Sequence, residues 1–211
     1  MPQFCQPLAV DSDGAGGHTN SAPEPETAAK WLYASWDDVP DAPPAGVQAF
    51  VEVFAGEAGI SAAVAATGVP TLPPIELEIK GANSVSTNAM AASVARKLLA
   101  WIAAGAIKAV HFGTPCTTYT KARKHDGGPR PLRSRQHING LPGLPWNLRQ
   151  QTKEGTAFMR LTAKWAAFCS LHNTQWTIEN PASSMIWETP EFKRLRGTRI
   201  LLDACCYGSR Y

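Results

Sequence analysis

From Ala49 onward the chain alternates apolar runs of strand length with stretches of helical periodicity, and this alternation restricts the fold more than any other feature. AFVEVF (49–54) passes through the glycine turn AGEAG into a helical ISAAVAATG (60–68). IELEI (75–79) is followed by AMAASVARKLLAWIAAG (89–105), whose apolar residues recur every three and four positions, and then by the strand-like AIKAVHF (106–112). A helix over about 151–172, the strand TQWTIEN (174–180), a short helical piece and a last strand TRILLDAC (198–205) complete the pattern. Strands that alternate with helices predict an α/β fold with a mostly parallel sheet and helices on both faces, in which ligands gather beyond the carboxyl ends of the strands.

Length and composition set the frame. With 211 residues, 44% of them hydrophobic, the chain can bury one core of its own. Residues 1–47 are rich in Pro, Ala, Gly and Asp and lack periodicity, which predicts a disordered leader followed by a catalytic domain over 48–211; WLYASW (31–36) is expected to dock at most transiently, since six residues bury little. Five cysteines show no CxxC pair and no Cys/His ligand spacing, so neither a disulfide framework nor a metal site is expected. No basic leader and no apolar run of membrane-span length occurs, and the expected setting is intracellular, nuclear or cytoplasmic, with no membrane partner.

The net charge of +3 hides an asymmetry: residues 81–211 carry 18 of the 20 Lys and Arg but 6 of the 17 acids. A basic half of that kind suits a polyanion, and equally a soluble surface. Six of the cations (Lys121, Arg123, Lys124, Arg130, Arg133 and Arg135) fall in the long stretch 114–150, far longer than an ordinary connection. That stretch is either a phosphate-contacting loop or a solvated connector. Trp146, Trp165, Trp176 and Trp187 read as core or loop anchors.

Three short segments at predicted strand ends carry chemistry. In FAGEAG, Gly56 and Gly59 allow close approach of backbone at a helix start, for a cofactor or for packing. On the next strand Glu78, with Glu76 before it, stands where a carboxylate can accept both hydroxyls of a ribose, or serves as a solvated edge residue. In GTPC, Pro115 stiffens a bend that presents Cys116, either as a reactive thiol or as a small apolar side chain. Nearby Lys121, Arg123 and Lys124 are expected to lower its pKa. In TIENP, Glu179 ends an apolar strand, which is costly without partners or a task, and Asn180 before Pro181 also reads as a helix cap. His111, five residues before Cys116, reads as a strand residue pointing into the sheet rather than as a hydrolase base.

FAGEAG, then GTPCTTYT, then IENP, in this order, resembles the cytosine 5-methyltransferases that modify DNA, over about residues 50–208. DACCYG adds a weaker match, and Pro181, SSMIW and RPLRS are similar to a divergent branch of that family found in mobile elements. The resemblance implies a Rossmann-like methyltransferase sheet, S-adenosylmethionine as cofactor and DNA, or RNA, as partner. It assigns Cys116 as nucleophile, Glu179 as the carboxyl against the cytosine ring and Asn180 as the residue orienting the Pro-Cys loop. Phe54, Ala55, Gly56, Gly59, Glu78, Asn88 and Pro115 would line the cofactor, and the six loop cations would meet phosphates. Thr117 and Pro181 stand where the family usually has Gln and Val, and the chain stops at Tyr211, before the family's target-recognition region, so a sheet incomplete at its C-terminal edge is expected. The same features fit a catalytically silent nucleic-acid-binding fragment. An adenine amino-methyltransferase fits less, because its Pro-Pro-aromatic motif is missing where GTPC stands.

Overall fold

The computed structural model describes residues 31–76, 91–120 and 129–202. Of the residues named above, Glu78, Asn88, Lys121, Arg123, Lys124 and the DACCYG segment lie outside them.

The fold is α/β with a small, all-parallel, three-stranded sheet. Strand β1, Ala49–Val53, pairs with β2, Ile107–Phe112, and β2 pairs with β3, Gln175–Ile178. Successive side chains of a strand point to opposite faces, and all five residues of β1 are buried, so β1 is covered on both sides. On its other side β1 meets residues 71–75 in two isolated parallel bridges, Phe50 with Thr71 and Val53 with Ile75. The predicted strand at 75–79 is present in the described residues only as this contact.

Helix α1, Gly59–Ala66, follows the glycine turn. Helix α2, Ala92–Ala103, buries Val94, Leu98, Trp101 and Ile102, one stripe of a 3.6-residue period. Helix α3, Trp146–Leu171, begins five residues before the predicted start, directly after Pro145, whose fixed φ and missing N–H suit a helix entrance. A 3₁₀ turn, Met185–Glu188, and the short α4, Pro190–Lys193, follow β3, with Ser184 and Thr189 as their side-chain caps. Asn180 caps neither.

Two expectations are corrected. Residues 31–47 are not a leader: Trp36 and Val39 are buried in the main core, the Trp36 indole donates to the Pro73 carbonyl at 2.8 Å, and Trp101 donates to the Pro40 carbonyl at 2.8 Å. Two indoles hold down a stretch whose proline-rich composition masks its anchors. Residues 198–202 form no strand, because a strand exists only through ladder partners and these make none; Ile200, Leu201 and Leu202 are exposed.

Helix α3 runs back along the sheet. Its end meets the start of β3, where the Thr174 amide donates to the Cys169 carbonyl and the Trp176 indole to Ser170 Oγ. Thr162, midway along it, lies level with the far ends of the strands, its hydroxyl 2.9 Å from that of Thr114. Around Thr162 the helix packs on the main core through Leu161 and Phe158, the latter against Phe54 just past the end of β1. There a second core forms from Tyr119, Met159, Ala163, Met185, Ile186 and Phe192.

Candidate active site

The turns after β1 and β2 touch. The Gly113 amide donates to the Val53 carbonyl at 2.9 Å, and a Cβ on Gly113 would stand 2.8 Å from the Phe54 carbonyl oxygen. Only glycine permits that approach. This contact brings the start of the Phe54–Gly59 turn next to the start of the Thr114–Cys116 bend.

The first turn is tightly wound, with positive φ at Phe54, Gly56 and Ala58. The Phe54 ring packs into the core against Phe158, so the backbone of this residue, not its side chain, lines the turn; Ala55 is buried and its amide donates to the Ile75 carbonyl. Gly56 and Gly59 have open space where side chains would be. Two carboxylates attend them. Glu76 accepts from the Gly56 amide at 2.5 Å, and Glu52, buried in β1, accepts from the Ser61 amide at 2.7 Å in the first turn of α1. Burial pushes the Glu52 carboxyl above the usual range, the Ser61 hydrogen bonds oppose this, and the Glu76 charge adds to it. Neither residue was among the expected cofactor contacts. The cost argument applied to Glu179 would have found Glu52, a lone acid in an apolar strand.

Cys116 is half-buried, and the carbonyl of the same residue accepts from the Tyr119 and Thr120 amides in a tight turn. Burial, with the Glu179 charge adding to it, raises the thiol pKa, opposite to the lowering expected from neighbouring cations. Pro115 is half-buried beside it. Glu179 is exposed, and its amide extends the β2–β3 ladder by donating to the Phe112 carbonyl at 2.9 Å. Asn180 crosses from the end of β3 and donates from Nδ2 to the Thr114 carbonyl at 2.7 Å, within the bend that carries Cys116. His111 faces β3, its Nδ1 2.8 Å from Thr177 Oγ1, and burial lowers its pKa.

The expected phosphate contacts divide. Arg130 and Arg135 are exposed. Arg133 is not: it is 2% exposed and all five of its N–H groups bond to neutral acceptors. Nε donates to Thr118 Oγ1, Nη1 to the Ile138 carbonyl and Thr156 Oγ1, and Nη2 to Thr118 Oγ1 and the Thr152 carbonyl. Its guanidinium also lies over the Tyr119 ring. A cation consumed in this way has nothing left for a phosphate, so the expectation for Arg133 is withdrawn. It joins the 129–144 segment to α3 and to the turn after Cys116. Trp146 is corrected too: it is 70% exposed, whereas Trp165 is buried and Trp176 and Trp187 anchor through their indole N–H groups.

Among the described residues no group of three or more His, Cys, Asp or Glu side chains gathers to hold a metal ion, and no helix is long and apolar enough to cross a membrane. No family model, curated protein or solved structure matches the chain. The α/β class rests on the fold alone.

Proposed function

We propose that this protein transfers a methyl group from S-adenosylmethionine to carbon 5 of cytosine in DNA, or in RNA, through a covalent adduct at Cys116. One observation carries the reading. The Asn180 side chain is bonded to Thr114 in the bend that carries Cys116, with Glu179 near enough for its charge to act on the Cys116 thiol. The strand arrangement is consistent with it: 71–75 beside β1, then β2 and β3, is the order of a Rossmann-like sheet that changes direction at β1, beside the glycine turn.

The first turn suits the cofactor. Two carboxylates disfavour phosphate and favour a cationic nucleoside with free hydroxyls, and the open space at Gly56 and Gly59 leaves its backbone approachable. Glu76, within the described residues, takes the ribose-facing part first assigned to Glu78. When bound, S-adenosylmethionine supplies an electrophilic methyl group and a positive charge. The Cys116 thiol would give up its proton to water and its sulfur would bond to cytosine carbon 6, leaving on carbon 5 the electron pair that would take the methyl group as its bond to the sulfonium sulfur breaks. Glu179 shares a proton with ring nitrogen 3 as charge builds there. Loss of the carbon 5 proton to water would then expel the Cys116 thiolate. Asn180 holds the bend against the end of β3 throughout.

The test is incubation with an oligonucleotide carrying 5-fluorocytosine and S-adenosylmethionine. A stable adduct on the Cys116 peptide is expected, absent in Cys116→Ser. Oligonucleotide binding without any adduct would remove the nucleophile role. A second reading, nucleic-acid binding without catalysis, is favoured by the raised thiol pKa; it predicts no heat of S-adenosylmethionine binding in calorimetry.

A further inference from the structure

We infer that the outward face of α3 is a docking track for a single strand of nucleic acid, with Trp146 as the platform on which an unpaired base stacks. Trp146, Arg149, Lys153, Arg160 and Lys164 lie within about 60° of one another around the helix axis, at 100° per residue. All five are exposed, Trp146 to 70%. Arg149, Lys153 and Lys164 have no carboxylate partner among the described residues, while Arg160 pairs with Glu191 at 3.2 Å. Glu154 lies about 80° off the line. An indole this exposed on a regular helix contributes nothing to the core, and a large aromatic beside a row of cations matches what single strands require: a ring for the bases and charges for the backbone.

Position strengthens the assignment. The stretch of α3 that carries Trp146, Arg149, Lys153 and Arg160 leads up to Thr162, whose hydroxyl meets that of Thr114, two residues before Cys116. The Arg133 bonds to Thr152 and Thr156 fasten the 129–144 segment, with exposed Arg135, against the same turns of the helix. A strand lying along α3 would therefore lead toward the rim. An unpaired strand fits better than a duplex, whose stacked bases offer no free face to Trp146. The inference rests on the proposed function only in taking a nucleic acid as partner, and it does not require methyl transfer.

The experiment measures binding of the full chain to a fluorescent single-stranded 20-mer and to its duplex over a series of salt concentrations. The single strand is expected to bind more tightly. Trp146→Ala should weaken that binding about 5- to 150-fold with the salt slope unchanged, the range for one stacked base. Arg149→Ala with Lys153→Ala should weaken it and flatten the salt slope by about 1.4, at about 0.7 per phosphate. Wild-type affinity in both variants, tighter binding of the duplex, stronger retention on anionic lipid vesicles than on the oligonucleotide, or no binding by the wild type would each overturn the inference. An adduct at Cys116 in variants that bind normally refutes this surface and leaves the methyltransferase reading intact; α3-dependent binding without an adduct does the reverse.

Discussion

The Arg133 guanidinium lies 3.7 Å above the centre of the Tyr119 ring, a buried cation with neutral hydrogen-bond acceptors at every N–H and, among the described residues, no carboxylate in an ion pair with it. Burial lowers its pKa, so the fold spends stability to keep the charge there, and the hydrogen bonds and the ring face offset that cost.

Arg133→Met should therefore destabilise, because it leaves the Ile138 carbonyl and the Thr118 hydroxyl without their Arg133 hydrogen bonds in the interior, whereas the Thr156 hydroxyl still donates to the Thr152 carbonyl. At about 1–2 kcal/mol for each of these two groups, a loss of about 3 kcal/mol is expected, or about 6–12 °C in Tm for a chain of this size. Arg133→Lys should recover little, since an ammonium cannot reproduce five N–H groups in a planar fork. Thermal unfolding followed by circular dichroism decides it. A lysine variant as stable as the wild type would mean that charge, not fork geometry, is what the site needs.

Gly155 supplies a prediction of opposite sign to helix propensity. It lies inside α3, where Gly→Ala normally stabilises by about 1 kcal/mol. Here the added Cβ would run into Thr118 Oγ1 and lie 3.2 Å from Arg133 Nη2. Thr118 is buried and held by two of the Arg133 bonds, so it cannot simply swing away. Gly155→Ala should lower Tm, and a rise would show that the arginine clasp yields readily.

This clasp also marks the limit of what the sequence discloses. The alternation of periods located β1, β2, β3 and α1 to α3, since burial against a sheet imposes those periods on residues such as Val94, Leu98 and Trp101. The Cys116, Glu179 and Asn180 segments could likewise be assigned to strand ends. Arg133 could not be read correctly, because an arginine in a basic, proline-rich stretch looks like a surface cation until its acceptors are brought in from Thr152 and Thr156 on another element. Trp36 escaped for a similar reason: its acceptor is a proline carbonyl 37 residues away, and no local pattern encodes it. The cap suggested by Asn180 and Pro181 follows a local rule that lost to the longer-range bond to Thr114.

The thiol of Cys116 should react slowly at neutral pH. Its pKa is raised by burial and then by the Glu179 charge, so the reactive thiolate becomes abundant only above the ordinary thiol range. Glu179→Gln removes the charge and leaves the burial, so the pH profile of Cys116 alkylation should shift toward lower pH and labelling at pH 8 should accelerate. Peptide mapping by mass spectrometry separates this site from the other cysteines. Cys169, fully buried with its pKa pushed up to about 12, serves as the internal silent control. An unchanged profile in Glu179→Gln would dissociate the two residues and weaken the proposed pairing at the cytosine ring.

Glu52 yields a pH-dependent stability. Its carboxyl is buried, and its folded-state pKa lies above the ordinary glutamate range because burial outweighs the hydrogen bonds from Ser61. A carboxyl of that kind binds more protons in the folded chain than in the unfolded chain between the two pKa values, so stability falls as pH rises through that window and the full cost is present above it. Glu52→Gln keeps an oxygen to accept the Ser61 amide while removing the charge, and should raise stability at pH 7, with the gain vanishing once the pH drops below the ordinary glutamate range. Urea unfolding at pH 7 and at pH 3 measures both arms. A glutamine variant less stable at pH 7 would mean that the ionised carboxylate is itself what holds the start of α1. The same variant separates structure from function, because Glu52 and Glu76 together make the glycine turn suited to a cation. Calorimetry on Glu52→Gln should show S-adenosylmethionine binding weakened while the fold is strengthened, the opposed changes expected where a costly buried charge is retained for a ligand.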